Sequence, residues 1–195
     1  MLVSMKNAHL LGSEDRPAPG DLRFVQGLLN TLDVDSGRDR LSDTRLAAEW
    51  LERFGLIPTV DAVDDDGAAR LRSFREAVRS LLSAHEETST VATAAATLDT
   101  LASQVAFRLA FGRDGSVALV TRSTGVDGAI GMLLAALHEA AGNGTLQRLK
   151  VCARDSCQWA YYDASKNRSS NWCSMETCGN REKAARHRHK AAATG

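Results

Sequence analysis

The chain has 195 residues, of which 44% are hydrophobic and 5% aromatic, a composition typical of a globular protein. No stretch reaches the ~20 apolar residues of a membrane span, and residues 1–20 lack the core of a signal peptide. We therefore expect a cytoplasmic protein with no membrane partner. The net charge is zero but uneven: residues 1–145 have 14 Lys and Arg against 20 Asp and Glu, whereas residues 146–195 have 10 against 4. This asymmetry favours nucleic acid as a partner of the basic end. The alternative is that the acidic part of the same chain binds the basic end.

Apolar residues in the first half recur at spacings of three and four, which predicts helices. One stripe runs from Leu22 to Leu32, and a second runs from Leu46 to Phe54 behind the capping residues Ser42 and Asp43. The segment GRDR at 37–40 is predicted to be a loop between them. A third stripe follows the acidic DDDG at 64–67, and the alanine-rich residues 89–102 predict a fourth helix.

The apolar period changes to two after residue 104. Residues 105–121 alternate around the turn sequence GRDG, which predicts a β-hairpin. A last helix is predicted from Val126 to Ala141, and GNGT at 142–145 marks its end and a linker. The sequence thus predicts an α+β fold with two parts. We name residues 1–145, a mainly helical part with a β-hairpin, the body, and residues 146–195 the cysteine module.

Three aromatic residues of the body, Trp50, Phe74 and Phe107, lie on predicted apolar faces. Because small-molecule sites are concave and mostly apolar, they predict a pocket for a small-molecule effector in the body. The alternative is that these rings simply fill the core, as apolar stripes at helical spacing usually do.

All four cysteines lie in the cysteine module, in two pairs that each enclose four residues: Cys152 and Cys157, then Cys173 and Cys178. Two such hooks separated by fifteen residues suit a tetrahedral ion, so we predict one structural Zn²⁺. Two disulfides or four unrelated thiols are the alternatives, and a reducing compartment disfavours the disulfides. His187 and His189 are not needed as ligands, because four cysteines already complete a site.

Two basic segments of the module are candidates for phosphate contact. The first is a polar loop with Lys166, Asn167 and Arg168, and its alternative role is that of a solvated turn. The second follows Cys178 and reads GNREKAARHRHK; we name these residues, 179–190, the basic segment. It predicts a short helix whose cations are Arg181, Lys183, Arg186, Arg188 and Lys190. Arg181 lies nearest the cysteines, and we expect it to brace the loop there rather than to read a base.

These residues resemble a known family. The stretch from Leu149 to Lys190, with Cys178-Gly179-Asn180-Arg181, is similar to the CGNR zinc finger, and LLNTLD and LAAEWLERFGL more weakly resemble the ABATE domain that accompanies it in bacterial proteins. The resemblance implies a stress-induced transcription regulator whose four cysteines hold zinc in a treble-clef-like module. It also implies that the basic residues after Cys178 face duplex DNA.

We therefore expect a DNA-binding regulator, with a zinc-stabilised module for protein interaction as the alternative. A catalytic role is not expected. No Ser/His/Asp set or carboxylate pair stands at a meaningful spacing, and a closed four-cysteine site leaves a metal no open position. The sequence leaves the oligomeric state open.

Overall fold

The structure is a computed structural model that describes residues 16–57, 63–83 and 87–185. In this part of the chain five α-helices and three two-stranded antiparallel sheets are present, together with a short helical stretch at its end, which confirms the α+β class. None of these helices is both long and apolar enough to cross a membrane.

The body is built around four helices, and a fifth lies at its edge. They are α1 (Leu22–Leu29), α2 (Thr44–Arg53), α3 (Asp65–Leu82), α4 (Thr88–Ser103) and α5 (Gly125–Gly142). Asp43 and Asp64 cap α2 and α3, because their carboxylates accept hydrogen bonds from the backbone N–H groups of Leu46 and Gly67. The apolar faces of α1, α2, α3 and α5 then close on one hydrophobic core.

The three rings predicted to line a pocket lie in the hydrophobic core or against it. Trp50 and Phe74 are buried in the core, and Phe107 packs against its edge. Trp50 also contacts Phe54, with ring centroids 4.8 Å apart. These rings fill space that the helices enclose, which is the alternative weighed from the sequence.

Two short hairpins connect the helices. The predicted loop at 37–40 is wrong in part, because β2 (Arg38–Asp39) pairs with β1 (Leu32–Asp33) across a turn at Gly37. The second hairpin pairs β3 (Phe107–Phe111) with β4 (Val117–Thr121), as the alternation predicted. Its tip extends from the core, so that the Phe111 side chain is 76% exposed.

The cysteine module begins shortly after α5 with a single turn of 3-10 helix, Leu146–Arg148. Its hairpin consists of β5 (Leu149–Val151) and β6 (Ala160–Tyr162), paired in register from Leu149 opposite Tyr162. A π-helical turn at Met175–Gly179 then leads into residues 180–185, which are α-helical. A hairpin followed by a helix is the arrangement that the resemblance implied.

The module packs directly against the body. The amide of Asn30 pairs with the backbone of Ala160 in both directions: it donates to the carbonyl at 2.9 Å and accepts from the N–H at 2.8 Å. Gln26 donates to the same carbonyl, and Arg79 donates to the backbone carbonyl of Gln158. Because the hydrogen bonds of Asn30 and Gln26 to Ala160 are buried, and breaking them would leave buried polar groups without these partners, they hold the body and the module together.

Candidate metal centre

The four cysteines converge on one point. One ligand atom from each of Cys152, Cys157, Cys173 and Cys178 lies within 4.8 Å of the other three. The Cys157–Cys173 and Cys173–Cys178 sulfur distances are both 3.7 Å. Four sulfurs at the usual ~2.3 Å from a tetrahedral zinc ion stand about 3.8 Å apart. The donor set and its spacing therefore fit a tetrahedral, sulfur-liganded metal ion.

Local backbone structure positions the sulfurs. Cys152 directly follows β5, and a turn closed by hydrogen bonds to the carbonyl of Arg154 brings Cys157 back. Gln158 takes a left-handed conformation, with φ 50°, as the chain enters β6. On the second hook, the Ser174 hydroxyl accepts from the N–H of Thr177 and caps the turn that contains Cys178. Each hook thus points two thiols at one position.

The thiols interact strongly before any metal is considered. Hydrogen bonds with Cys157 and then Cys173 lower the pKa of the Cys152 thiol well below its usual range. The hydrogen bond with Cys152 raises the pKa of Cys157, and the contacts with Cys152 and Cys157 raise that of Cys173. A metal binds thiolates, so it must displace these protons. The cluster is therefore a site whose metal affinity depends on pH.

Asp163 is the polar centre of the module. Its side chain is fully buried and accepts hydrogen bonds from Lys150 at 2.9 Å and Arg16 at 3.3 Å. It also accepts from the backbone N–H groups of Ser165 and Ser170. Burial by itself raises the pKa of Asp163, but the hydrogen bonds from Lys150 and Ser165 outweigh it, and the pKa is well below its usual range. Asp163 is therefore a buried carboxylate that folds the loop after it.

That loop, residues 164–170, holds the first group of predicted phosphate contacts; we name it the Lys166 loop. Its carbonyl groups point inward: Arg148 donates to Ser165, and Lys150 donates to Arg168 and Ser170. The side chains of Lys166, Asn167 and Arg168 are exposed. Six charged side chains lie in this loop or beside it, five cations and one carboxylate, and their net charge is +4. They are Arg16, Arg148, Lys150, Lys166, Arg168 and Asp163.

The basic segment is described up to residue 185. Lys183 is exposed. Arg181 instead faces Asp35 of the body at 3.5 Å, and Arg154 reaches the same carboxylate at 3.6 Å. Arg181 was predicted to brace the loop beside the cysteines, and this ion pair with the body does not test that role. The other predicted contacts, Arg186, Arg188 and Lys190, lie outside the described residues.

Sequence reasoning missed the groups that support the site. Asp163 accepts a hydrogen bond from Arg16, 147 residues away in the sequence. Asn30 donates one to Ala160, 130 residues away. No local pattern marks such a pair. Asp35 was also missed, although the acidic balance of the body favoured a contact between one of its acids and the basic segment.

Two family models match the chain. A model described as "ABATE: Putative stress-induced transcription regulator" matches residues 22–148, and the model of the CGNR zinc finger matches residues 148–191. Among curated proteins, none matches this chain. The two matched regions meet at Arg148, at the start of the cysteine module, and the second contains all four converging cysteines. The first model alone covers more than half of the chain, so the chain belongs to the ABATE family and ends in a CGNR zinc finger.

Proposed function

We propose that the protein regulates transcription by binding duplex DNA through its cysteine module. The observation that carries this proposal is the Lys166 loop, where exposed Lys166, Asn167 and Arg168 lie next to the half-buried cations Arg148 and Lys150. Hydrogen bonds from Arg148 and Lys150 and to Asp163 fix the backbone of the loop, so the loop loses little further backbone freedom on contact with phosphate. Lys183 is exposed as well, and Arg186, Arg188 and Lys190, which lie outside the described residues, follow it in the sequence.

The metal in this proposal is one structural Zn²⁺ held by the four cysteines. Zinc would supply the folding energy of a module too small to have a large core. Elemental analysis of protein purified without added metal should find one zinc per chain. Cys157→Ser should lose it, because three thiolates no longer close the tetrahedron. Protein without zinc, with free thiols or disulfides, would contradict this assignment.

The test of DNA binding is its salt dependence. If about four cations neutralise phosphates, log K should fall with log salt with a slope of about −3.6, at −0.9 per phosphate. The double variant Lys166→Ala, Lys183→Ala removes two exposed charges, and we expect a slope flatter by about 1.8. The matched control, Arg108→Ala with Arg122→Ala, removes two exposed charges from the β3–β4 hairpin. Equal slopes for the two variants would refute the assigned surface.

A second function is favoured by one contact. Because Arg154 and Arg181 already pair with Asp35 of the body, the basic surface can recognise an acidic protein surface. The second function we propose is therefore protein interaction through the cysteine module. It takes precedence if zinc-loaded protein fails to bind any duplex at low salt.

The proposed role is that of a binding protein rather than an enzyme. A zinc ion held by four cysteines would have no open position for a substrate or water, and its chemistry would be limited to holding the fold. We place the protein in the cytoplasm, where DNA and a reducing environment are both present.

A further inference from the structure

A cleft lies where the body meets the cysteine module, and its volume is about 510 Å³. The body contributes residues of β1, β2 and the start of α2, and the module contributes Trp159. Small-molecule sites usually range over roughly 300–1,000 Å³. The cleft is thus large enough for one small ligand, and the fixed contact between Asn30 and Ala160 keeps its two walls in place.

Most charged side chains of the cleft already have partners within the protein. Asp39 receives two hydrogen bonds from Arg75, at 2.6 and 2.9 Å, and Asp33 receives them from Ser36 and pairs with Arg38. For Asp39, burial raises the pKa, but the hydrogen bond from Arg75 and others more than offset it. Both acids are therefore ionised and already matched by cations.

Arg40 differs from these residues. Within the described ranges, its guanidinium makes no hydrogen bond and no ion pair, and its side chain is exposed at the cleft. Among the same residues, the Ser42 hydroxyl and the Trp159 indole N–H have no hydrogen-bond partner either. All three groups can donate hydrogen bonds, and Arg40 adds a positive charge. The unused chemistry of the cleft thus favours an anion with several acceptor oxygens.

The rest of the cleft wall favours a planar ring. Trp159 is half-buried, and Leu46 contributes an aliphatic side chain to the same cleft. An aromatic base stacks well on an indole, and an aliphatic side chain can also pack against its face. The turn between β1 and β2 also brings Asp35 to Arg181 at the start of the helical residues 180–185, so the cleft adjoins the basic segment.

We propose that this cleft binds a nucleoside phosphate, with its base against Trp159 and its phosphate at Arg40. The ligand is either a free nucleotide or an unpaired nucleotide of a nucleic acid held by the module. In the second form the inference rests on the proposed DNA binding. In the first form it stands without that function.

The experiment measures binding of three fluorescent probes by zinc-loaded protein: an adenosine monophosphate, a duplex with a one-nucleotide bulge and the same duplex fully paired. Arg40→Ala and Trp159→Leu should each weaken binding of the mononucleotide or of the bulged duplex on the order of tenfold, because the first removes a charge and the second removes stacking. Binding of the paired duplex should change much less. Arg122→Ala is the control, since Arg122 is exposed on the hairpin. Zinc content must match wild type in every variant.

The outcomes separate the two proposals. Preference for the bulged duplex, lost in Arg40→Ala, supports an unpaired nucleotide in the cleft. Binding of the mononucleotide without any duplex binding supports the cleft and rejects the DNA function. Binding of all duplexes alike, unchanged by Arg40→Ala and Trp159→Leu, together with no mononucleotide binding, overturns the cleft and leaves the DNA function standing.

Discussion

Asp163→Asn tests whether a single buried carboxylate holds the cysteine module together. Asp163 is fully buried and accepts four hydrogen bonds, from Lys150, Arg16 and the backbone N–H groups of Ser165 and Ser170. Asparagine has nearly the same shape but offers one oxygen, and its NH₂ group would face donors. The change therefore removes charge and acceptors with little change in packing.

The magnitude follows from these contacts. Breaking a fully buried ion pair costs about 3–5 kcal/mol, because the remaining charge stays without a partner. Lys150 and Arg16 are 24% exposed and can be partly solvated, which reduces that figure. The two hydrogen bonds accepted by the lost oxygen, at about 1–2 kcal/mol each, lead to a similar total. We expect Asp163→Asn to lower the free energy of unfolding by about 2–4 kcal/mol.

The assay is urea denaturation of zinc-saturated protein at neutral pH, followed by tryptophan fluorescence. Asp155→Asn is the matched control, because Asp155 is an exposed carboxylate of the same module; we expect it to stay within about 0.5 kcal/mol of wild type. The folded pKa of Asp163 is lowered, so its contribution is present above its unfolded pKa and is lost as pH falls through the folded value. The difference between wild type and Asp163→Asn should therefore stay constant over roughly pH 5 to 8 and shrink below about pH 4. Equal stability of Asp163→Asn and the control would refute the reasoning.

Three further predictions concern the contact, the metal and the core. Asn30→Ala removes two buried hydrogen bonds to Ala160 and should cost about 2–4 kcal/mol in the same assay; an effect below about 0.5 kcal/mol would show that the contact is dispensable. Zinc affinity, measured by competition with a chelator from pH 6 to 8, should rise with pH, about tenfold per pH unit for each thiol proton displaced, whereas a flat profile would contradict the thiol cluster. Phe74→Ala should cost about 3–5 kcal/mol because the ring is fully buried. Phe111→Ser should stay within about 0.5 kcal/mol because that ring is exposed, and equal effects would refute the assigned core.

The helices and the β3–β4 hairpin were predictable from the sequence because their signals are local. Periods of three to four or of two residues report which side of an element is apolar, and Asp43 and Asp64 mark helix starts by a contact three residues away. The cysteine pairs were predictable for the same reason, since each hook spans four residues and its chemistry is set by sulfur alone. The ABATE domain and the CGNR finger could both be recognised at this level.

Tertiary structure alone decided how these parts combine. That Asn30 acts as a hydrogen-bond partner of β6, that Asp163 folds the Lys166 loop, and that Asp35 takes up Arg181 all depend on residues distant in the chain. Whether an apolar ring is buried is also a question of three dimensions, as Phe74 and Phe111 show. The cleft beside Trp159 exists only because body and module pack together. Local propensity reports a residue's preference for a helix or a strand, but the burial and pairing of its side chain are set by whatever the folded chain brings against it.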